Sequence, residues 1–213
     1  MTLGSSPYKI IDIEQGSPDW HNWRADGIGA SDAPTIMGEN PWKKPNDLLR
    51  EKSSPKKEIS DLNGVMARGT ALEPEARSEY ALEQGVEVMP ACLQSMGCDW
   101  LRASLDGLSA NGNKVVEIKC GESVYRRTAS SGQVPGYYVG QLQHILAITI
   151  LESLDFWCYL PGRRSICLRV DRNDKYIEKL LRSESQFWQR LSELRLKTGQ
   201  RADRPHLPLD GKD

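Results

Sequence analysis

The sequence predicts an α/β (α+β) fold, a single domain with a central mixed β-sheet flanked by helices. Three observations predict it. Segments of helical period alternate with short apolar runs of period two, in the order helices, three to four strands, a helix, a hairpin and a closing helix. The 213 residues suffice for one sizeable core, and no linker, repeat or low-complexity stretch divides them. Two strand-like runs near the C-terminus, 154–160 and 165–170, are separated by Pro161-Gly162, the turn of a hairpin.

Each element has a local reason. Residues 20–24 follow Ser17-Pro18, a cap and a first-turn proline. Gly27-Ile-Gly-Ala-Ser31 reads as a tight turn, after which Ser31 caps a helix to about Met37, closed by Gly38. Pro45 or Asn46 opens a helix over 47–52, and the polar, proline-broken residues 53–60 form a loop. Residues 70–84 hold good helix formers, with Leu72, Ala76 and Tyr80 at helical spacing and Gly85 as the stop. Residues 86–89 alternate as a strand that 91–95 continues past Pro90. Residues 101–104 and 114–120 are the next strands, joined through Ser109-Ala-Asn-Gly-Asn113. Val134-Pro135 precedes a long apolar helix, 136–151. After the hairpin, Asn173 or Asp174 caps a helix to Lys197, with Tyr176, Leu180, Phe187, Leu191 and Leu194 as its apolar stripe. Hairpin and helix, 154–197, complete one domain spanning 1–213.

Composition narrows the class. Charged residues make up 27%, the net charge is −1 and the mean hydropathy is −0.54, as in a soluble globular protein. No apolar run is long enough to span a bilayer, and residues 1–12 lack a basic-then-apolar leader, so a cytoplasmic protein is expected. Cys92, Cys98, Cys120, Cys158 and Cys167 are odd in number and form no CxxC frame, which favours reduced thiols. His21, His144 and His206 lack metal-type spacing, which argues against zinc. A near-zero charge argues against a simple nucleic-acid coat protein, but not against an enzyme that gathers basic residues in one groove.

The chemistry concentrates in Leu101-Arg-Ala-Ser-Leu-Asp106-Gly and Val115-Val-Glu117-Ile-Lys119-Cys120. Alternation along a strand puts Glu117 and Lys119 on one face, and a hairpin brings Asp106 to them. Two carboxylates and an ammonium in one patch suit a hard divalent cation and an activated water. A Glu117–Lys119 structural ion pair, or a solvated sheet face, is the plain alternative. Glu73 lies near a helix start, where the dipole alone favours an acid. Gln141 carries an amide into an apolar helix, while His144, three residues on, reads as a surface or supporting group. Arg24 offers a planar fork suited to phosphate, and Ser31 a hydroxyl at a helix start; a surface arginine and an ordinary cap are the plain alternatives.

Six short motifs stand in order: Trp20-His21-x-x-Arg24, Gly29-Ala-Ser-Asp32, Arg68-Gly69-x-x-x-Glu73, Ser104-Leu-Asp106-Gly, Glu117-Ile-Lys119-Cys120 and Gln141-Leu-Gln143. Together they resemble the YqaJ-type viral recombinases, the lambda exonuclease family of the PD-(D/E)-x-K nuclease superfamily. The likeness covers about 18–160. Leu105 stands where the superfamily name has proline, at a position that is not a ligand.

The resemblance implies a restriction-endonuclease-like core and a Mg²⁺-dependent exonuclease acting on linear double-stranded DNA from its 5′ ends. Products would be 5′-mononucleotides and a 3′ single-stranded overhang for recombination by strand annealing. Asp106, Glu117 and the Ile118 carbonyl would bind metal, with Asp106 bridging two ions and Mn²⁺ able to substitute. Glu73 would hold the second ion, directly or through water. Lys119 would orient or deprotonate the attacking water, and Gln141 would position it. Arg24, Ser31 and Ser104 would bind the 5′-phosphate, and Met66 would wedge the end base pair apart. The resemblance further implies a ring-shaped homotrimer, a single-strand annealing protein as partner, and a bacterial cytoplasm as the site of action, with a phage or prophage gene. A structure-specific endonuclease or resolvase of the same superfamily, and a catalytically silent scaffold binding DNA ends, are the competing expectations. An iron–sulfur nuclease does not fit the cysteine spacing.

Overall fold

A seven-stranded mixed sheet carries helices on both faces. The computed structural model describes residues 6–54 and 64–197, with side chains from residue 69 onward in the second stretch. In chain order the elements are β1 (Tyr8–Ile11), α1 (Pro18–Ala25), β2 (Ile28–Gly29), a 3₁₀ turn (Ala30–Asp32), α2 (Ala33–Ile36), α3 (Pro45–Ser53) and α4 (Gly64–Gln84). Then follow β3 (Val88–Ser95), β4 (Leu101–Ser109), β5 (Val115–Cys120), α5 (Glu122–Ser131), α6 (Gly136–Thr149), β6 (Ser153–Tyr159), β7 (Ile166–Asp171) and α7 (Asp174–Lys197). This is the mixed α/β architecture that the sequence predicts.

The strand order is β1-β3-β4-β5-β6-β7, with β2 beside β4. All neighbours on that path are antiparallel except β5 and β6, which are parallel and joined through α5 and α6. A parallel pair needs such a crossover. β3 follows β4 along most of its length. The other edge of β4 is shared: β2 pairs with Leu101 and Arg102, and β5 with Gly107 and Leu108. Among the described residues, 103–106 of β4 therefore have no ladder partner on that edge. This opening holds Ser104 and Asp106.

The two faces separate cleanly in β5. Val116 and Ile118 pack with Trp157, Tyr159 and Val88 under Ala76 and Tyr80 of α4. Val115 packs on the other side, among Leu142, Ile145 and Leu146 of α6, Ile177, Phe187 and Leu191 of α7, and Leu48 and Leu49 of α3. Tyr80 and Trp157 are fully buried and meet edge to face at 5.3 Å, a geometry that adds about 0.5–1.5 kcal/mol to the burial of their area. Tyr80 donates its hydroxyl to Asp155 Oδ2 at 2.8 Å, and Lys114 Nζ lies 2.8 Å from the same atom, so this buried carboxylate is partnered.

Several boundaries differ from the sequence expectations. α4 begins at Gly64 rather than near residue 70, so Glu73 lies beyond its first turn and the dipole does not explain it. β4 runs on to Ser109, which puts Asp106 inside a strand rather than at its end. Residues 88–95 form one strand, with a register shift between Met89 and Ala91 at Pro90, which has no N–H to give the ladder. β1 and α5 have no counterpart in the sequence reading. Ser31 does not cap α2; it lies within the 3₁₀ turn, and Asp32 Oδ2 accepts the Gly29 N–H instead, at 3.0 Å. On α7 the buried stripe runs through Ile177, Leu180, Phe187, Trp188 and Leu191, with Tyr176 and Leu194 half-buried at its margin.

Candidate active site

The opening in the sheet draws Asp106 toward β5. Its Oδ2 accepts the main-chain N–H of Ile118 at 2.7 Å, taking the place of a ladder carbonyl. Arg77 of α4 donates Nε to the Asp106 carbonyl at 2.7 Å. Gly107 permits this closeness: a Cβ there would lie 2.6 Å from Val116 Cγ1 and 2.7 Å from Val88 Cγ2. Glu117, 2% exposed, accepts Lys119 Nζ on Oε1 at 2.5 Å and Gln141 Nε2 on the same oxygen. The expected patch therefore forms, with α6 supplying the amide. The Glu117–Lys119 ion pair of the plain alternative is also present, and Asp106, Glu73 and Gln141 gather around it.

Electrostatics mark this patch as short of positive charge. Burial, then the Asp106 carboxylate, pushes Glu73 up to about 7. The same two causes raise Glu117, against the pull of Lys119. Burial raises Asp106 as well, opposed by Lys119, the Ile118 N–H and Arg77. Burial works against the charge on Lys119, but Glu117 and Asp106 outweigh it and raise its pKa. The Lys119 ammonium and the Arg77 guanidinium do not offset the burial of three neighbouring carboxyl groups.

Glu117 Oε2 is buried and has no hydrogen-bond partner among the described residues. An orphaned carboxylate oxygen is costly in a protein interior, and a bound cation would satisfy it. Among the described residues no three His, Cys, Asp or Glu side chains are set to hold a metal by themselves. Asp106 and Glu117 with a main-chain carbonyl make a sparse oxygen set, which fits Mg²⁺, an ion that keeps several waters.

A second polar cluster adjoins the first. Arg24 Nη2 donates to Ser31 Oγ at 2.7 Å, and Trp20 Nε1 donates to Ser104 Oγ at 2.8 Å. The Arg24 guanidinium lies 4.5 Å from the Trp20 ring centroid. Trp20 thus ties Arg24, Ser31 and Ser104 into one group. Behind them Lys52 Nζ lies 2.9 Å from Asp32 Oδ2 and donates to the Gly27 carbonyl at 2.9 Å. Burial opposes ionisation of Asp32, but Lys52 and Arg24 outweigh it and hold this carboxyl below its ordinary value. Ser104 and Asp106 are two residues apart on β4, so about 7 Å of strand separates the two clusters.

Two expectations fare differently. His144 is not at the surface: it is fully buried, with Nδ1 2.7 Å from Glu184 Oε1 and Nε2 2.9 Å from the Arg102 carbonyl. It joins α6 to α7 and β4. Met66 falls in the first turn of α4, and its side chain lies outside the described residues. Four partners have no place in the sequence reading of the site: Trp20 as a donor, Arg77, Tyr138 and Lys52. Of these, Trp20 is open to inference, since four residues before Arg24 on a helix is one face. Tyr138 puts its ring centroid 4.9 Å from Lys119 Nζ.

Residues 19–152 match the YqaJ-like viral recombinase domain. The chain belongs to that family. Among curated relatives, YqaJ of Bacillus subtilis (strain 168), itself uncharacterised, is 25% identical over 179 residues, 82% of this chain and 56% of that protein. An uncharacterised protein of Acanthamoeba polyphaga mimivirus is 28% identical over 164 residues, 70% of this chain and 29% of the relative. The chain thus spans about half, and under a third, of the curated relatives it matches. Among solved structures, the alkaline exonuclease LHK-Exo of Laribacter hongkongensis superposes with a TM-score of 0.75 at 25% identity, covering 86% of this chain and 97% of that one. The same protein has been solved in complex with dAMP. A phage-related exonuclease of Haemophilus somnus 129PT shares the fold, with a TM-score of 0.60 at 13% identity over 81% of this chain and 96% of that one. In this member of the YqaJ-like family the two adjoining clusters gather Arg24, Ser31 and Ser104 on one side and Glu73, Asp106, Glu117, Lys119 and Gln141 on the other.

Proposed function

We propose that the chain is a Mg²⁺-dependent exonuclease that degrades one strand of linear duplex DNA from a 5′-phosphorylated end. It releases 5′-mononucleotides and leaves a 3′ single-stranded tail for strand annealing. A nuclease role is supported by family membership and by the likeness to an alkaline exonuclease. The observation that carries the finer reading is the placement of Ser104 and Asp106 two residues apart in one sheet opening. A terminal phosphate gripped at the first puts the next phosphodiester beside the second.

Arg24, Ser31 and Ser104 hold the 5′-phosphate, with the guanidinium supplying charge and the hydroxyls direction. Asp106, Glu117 and the Ile118 carbonyl would hold Mg²⁺, and Glu73 would hold a second ion, directly or through water. A divalent cation held there would supply a water of lowered pKa and neutralisation of charge on the attacked and leaving oxygens. Lys119, half-buried beside Glu117, would orient the attacking water or take its proton. Gln141 keeps Glu117 oriented and positions that water through its amide. Met66 splits the terminal base pair.

The whole chain works as one nuclease unit, with 18–160 as its core and 154–197 as the closing hairpin and helix. We assign it a homotrimeric ring and an annealing protein as partner; family resemblance supports both, and a basic channel within a ring accommodates the near-neutral net charge. The same resemblance supports action in a bacterial cytoplasm. No helix among the described residues is long and apolar enough to cross a membrane. Digestion of linear duplex DNA with and without a 5′-phosphate, beside closed circular plasmid, tests the reading. Mononucleotides from the phosphorylated linear ends are expected. Nicked plasmid, or loss from 3′ ends, would overturn it.

A further inference from the structure

A row of aromatic rings leads away from Lys119. Tyr138 and Tyr137 have ring centroids 4.6 Å apart, and Tyr137 and Trp42 4.9 Å apart. Trp42, at the far end, is 76% exposed. The row runs beside a groove of about 610 Å³ lined by Tyr137, Pro41, Glu39 and Arg127. A tryptophan left in water gives up the largest apolar burial any side chain offers, so its exposure calls for an occupant.

Charge indicates which one. The Arg127 guanidinium lies 5.7 Å from the Tyr137 centroid, is exposed, and has no carboxylate partner among the described residues. Lys44, two residues from Trp42, is exposed as well. Glu39, the acidic residue of the groove, is engaged by the Tyr176 hydroxyl at 2.6 Å. An exposed Trp42 and a half-buried Tyr137 set among cations are the chemistry of single-stranded nucleic acid: every base has a face to stack, and every linkage a phosphate to neutralise. A protein interface also uses aromatic anchors, but its core is depleted of unpaired charge. The row moreover ends at the lysine of the cutting site.

From this we infer that Trp42 and Tyr137 form a stacking subsite for unpaired bases, holding single-stranded DNA next to the active site. The inference rests on the nuclease reading for the nature of its ligand. Its occupant is the unpaired stretch at a digested end.

The test is binding of a short 5′-fluorescein oligothymidylate to the whole protein in EDTA, read by anisotropy at fixed salt. Trp42→Ala and Tyr137→Ala should each weaken binding about ten- to hundredfold, and Trp42→Phe should retain most of the affinity. Hydrolysis of bis(p-nitrophenyl) phosphate with Mg²⁺ or Mn²⁺ and the mass in solution should stay as in the parent. No binding by the parent, or equal binding by both alanine variants, overturns the subsite. So does a Trp42→Ala protein of lower mass with unchanged affinity, which makes the row a contact between chains. Because binding is read without metal, absence of all hydrolysis by the parent would sink the nuclease reading and leave the stacking result standing.

Discussion

Ile118 donates its main-chain N–H to the Asp106 carboxylate at 2.7 Å, across a span where a sheet would ordinarily offer a carbonyl. The bond fixes one carboxylate oxygen and leaves the other for chemistry. Asp106→Asn keeps an acceptor for that N–H but removes the charge. Digestion of phosphorylated duplex ends should fall about a hundred- to thousandfold, the size typical of losing a preorganised charged group. The melting temperature should not fall, because the charge removed is one that burial opposes. Initial rates and calorimetry on the same samples check both halves.

The carboxylates also set a pH dependence that metal should erase. Glu73 holds its proton to about 7 when folded, against 4.5 ordinarily, and Glu117 is raised too. The unfolded chain ionises these groups first. In EDTA their contribution to stability is therefore complete below about 4.5 and is lost as pH rises through about 7. Melting curves from pH 5 to 8 should show the decline in EDTA and a smaller one in millimolar Mg²⁺. Identical slopes in the two buffers would contradict a cation at this site.

Trp20 reaches Ser104 from the same helix that carries Arg24. Trp20→Phe removes the indole donor and should lower the ratio of rates on 5′-phosphate and 5′-hydroxyl ends. Arg24→Ala should bring that ratio near one, since a charge-assisted phosphate contact contributes roughly 1.5–3 kcal/mol. Rates on 5′-hydroxyl ends should change little. Paired assays on one duplex, with and without kinase treatment, separate end recognition from chemistry.

His144 and Glu184 are both fully buried and lie 2.7 Å apart. Burial alone would lower His144, but Glu184 and the Arg102 carbonyl outweigh it and raise its pKa. The stability it contributes is thus complete below 6.5, its ordinary value, and is lost as pH rises through the raised folded value. His144→Ala strands a buried acid and should cost about 3–5 kcal/mol in denaturant unfolding. The loss should be larger at pH 6 than at pH 9. Combining His144→Leu with Glu184→Met, which removes both polar partners at once, should recover most of it.

Ile150 ends α6 in the left-handed region, at φ 56°, and is 60% exposed. A β-branched residue is strained there, and glycine is the usual occupant of such a helix end. Ile150→Gly should raise the unfolding free energy by about 1 kcal/mol and leave digestion rates unchanged.

How far these features are legible in the sequence depends on the distance over which each is encoded. Glu117 and Lys119 share a face because strands alternate, and two residues suffice to say so. Asp106 joins them through a hairpin whose turn residues are local. His144 misleads because its partner, Glu184, lies forty residues away on another helix, and because α6 is buried nearly all round and offers no polar face to orient it. α5 is hard to see since its sequence is largely polar and Gly121 gives its start no side-chain cap. Ser31 resembles a cap from its position alone; Asp32, one residue on, takes the Gly29 N–H, a choice that only the folded turn reveals.

The unpaired span of β4, residues 103–106, has a consequence for engineering. Hydrogen bonds withheld there leave the molecule less robust than an uninterrupted sheet of its size. An obvious repair would extend β2 or β5 along that edge. Such a variant should withstand heat better and, on the proposed nuclease reading, cut nothing, because the new backbone would close the approach to Asp106. Robustness and turnover draw on the same four residues, so gains in the first are best sought elsewhere, at positions such as Ile150.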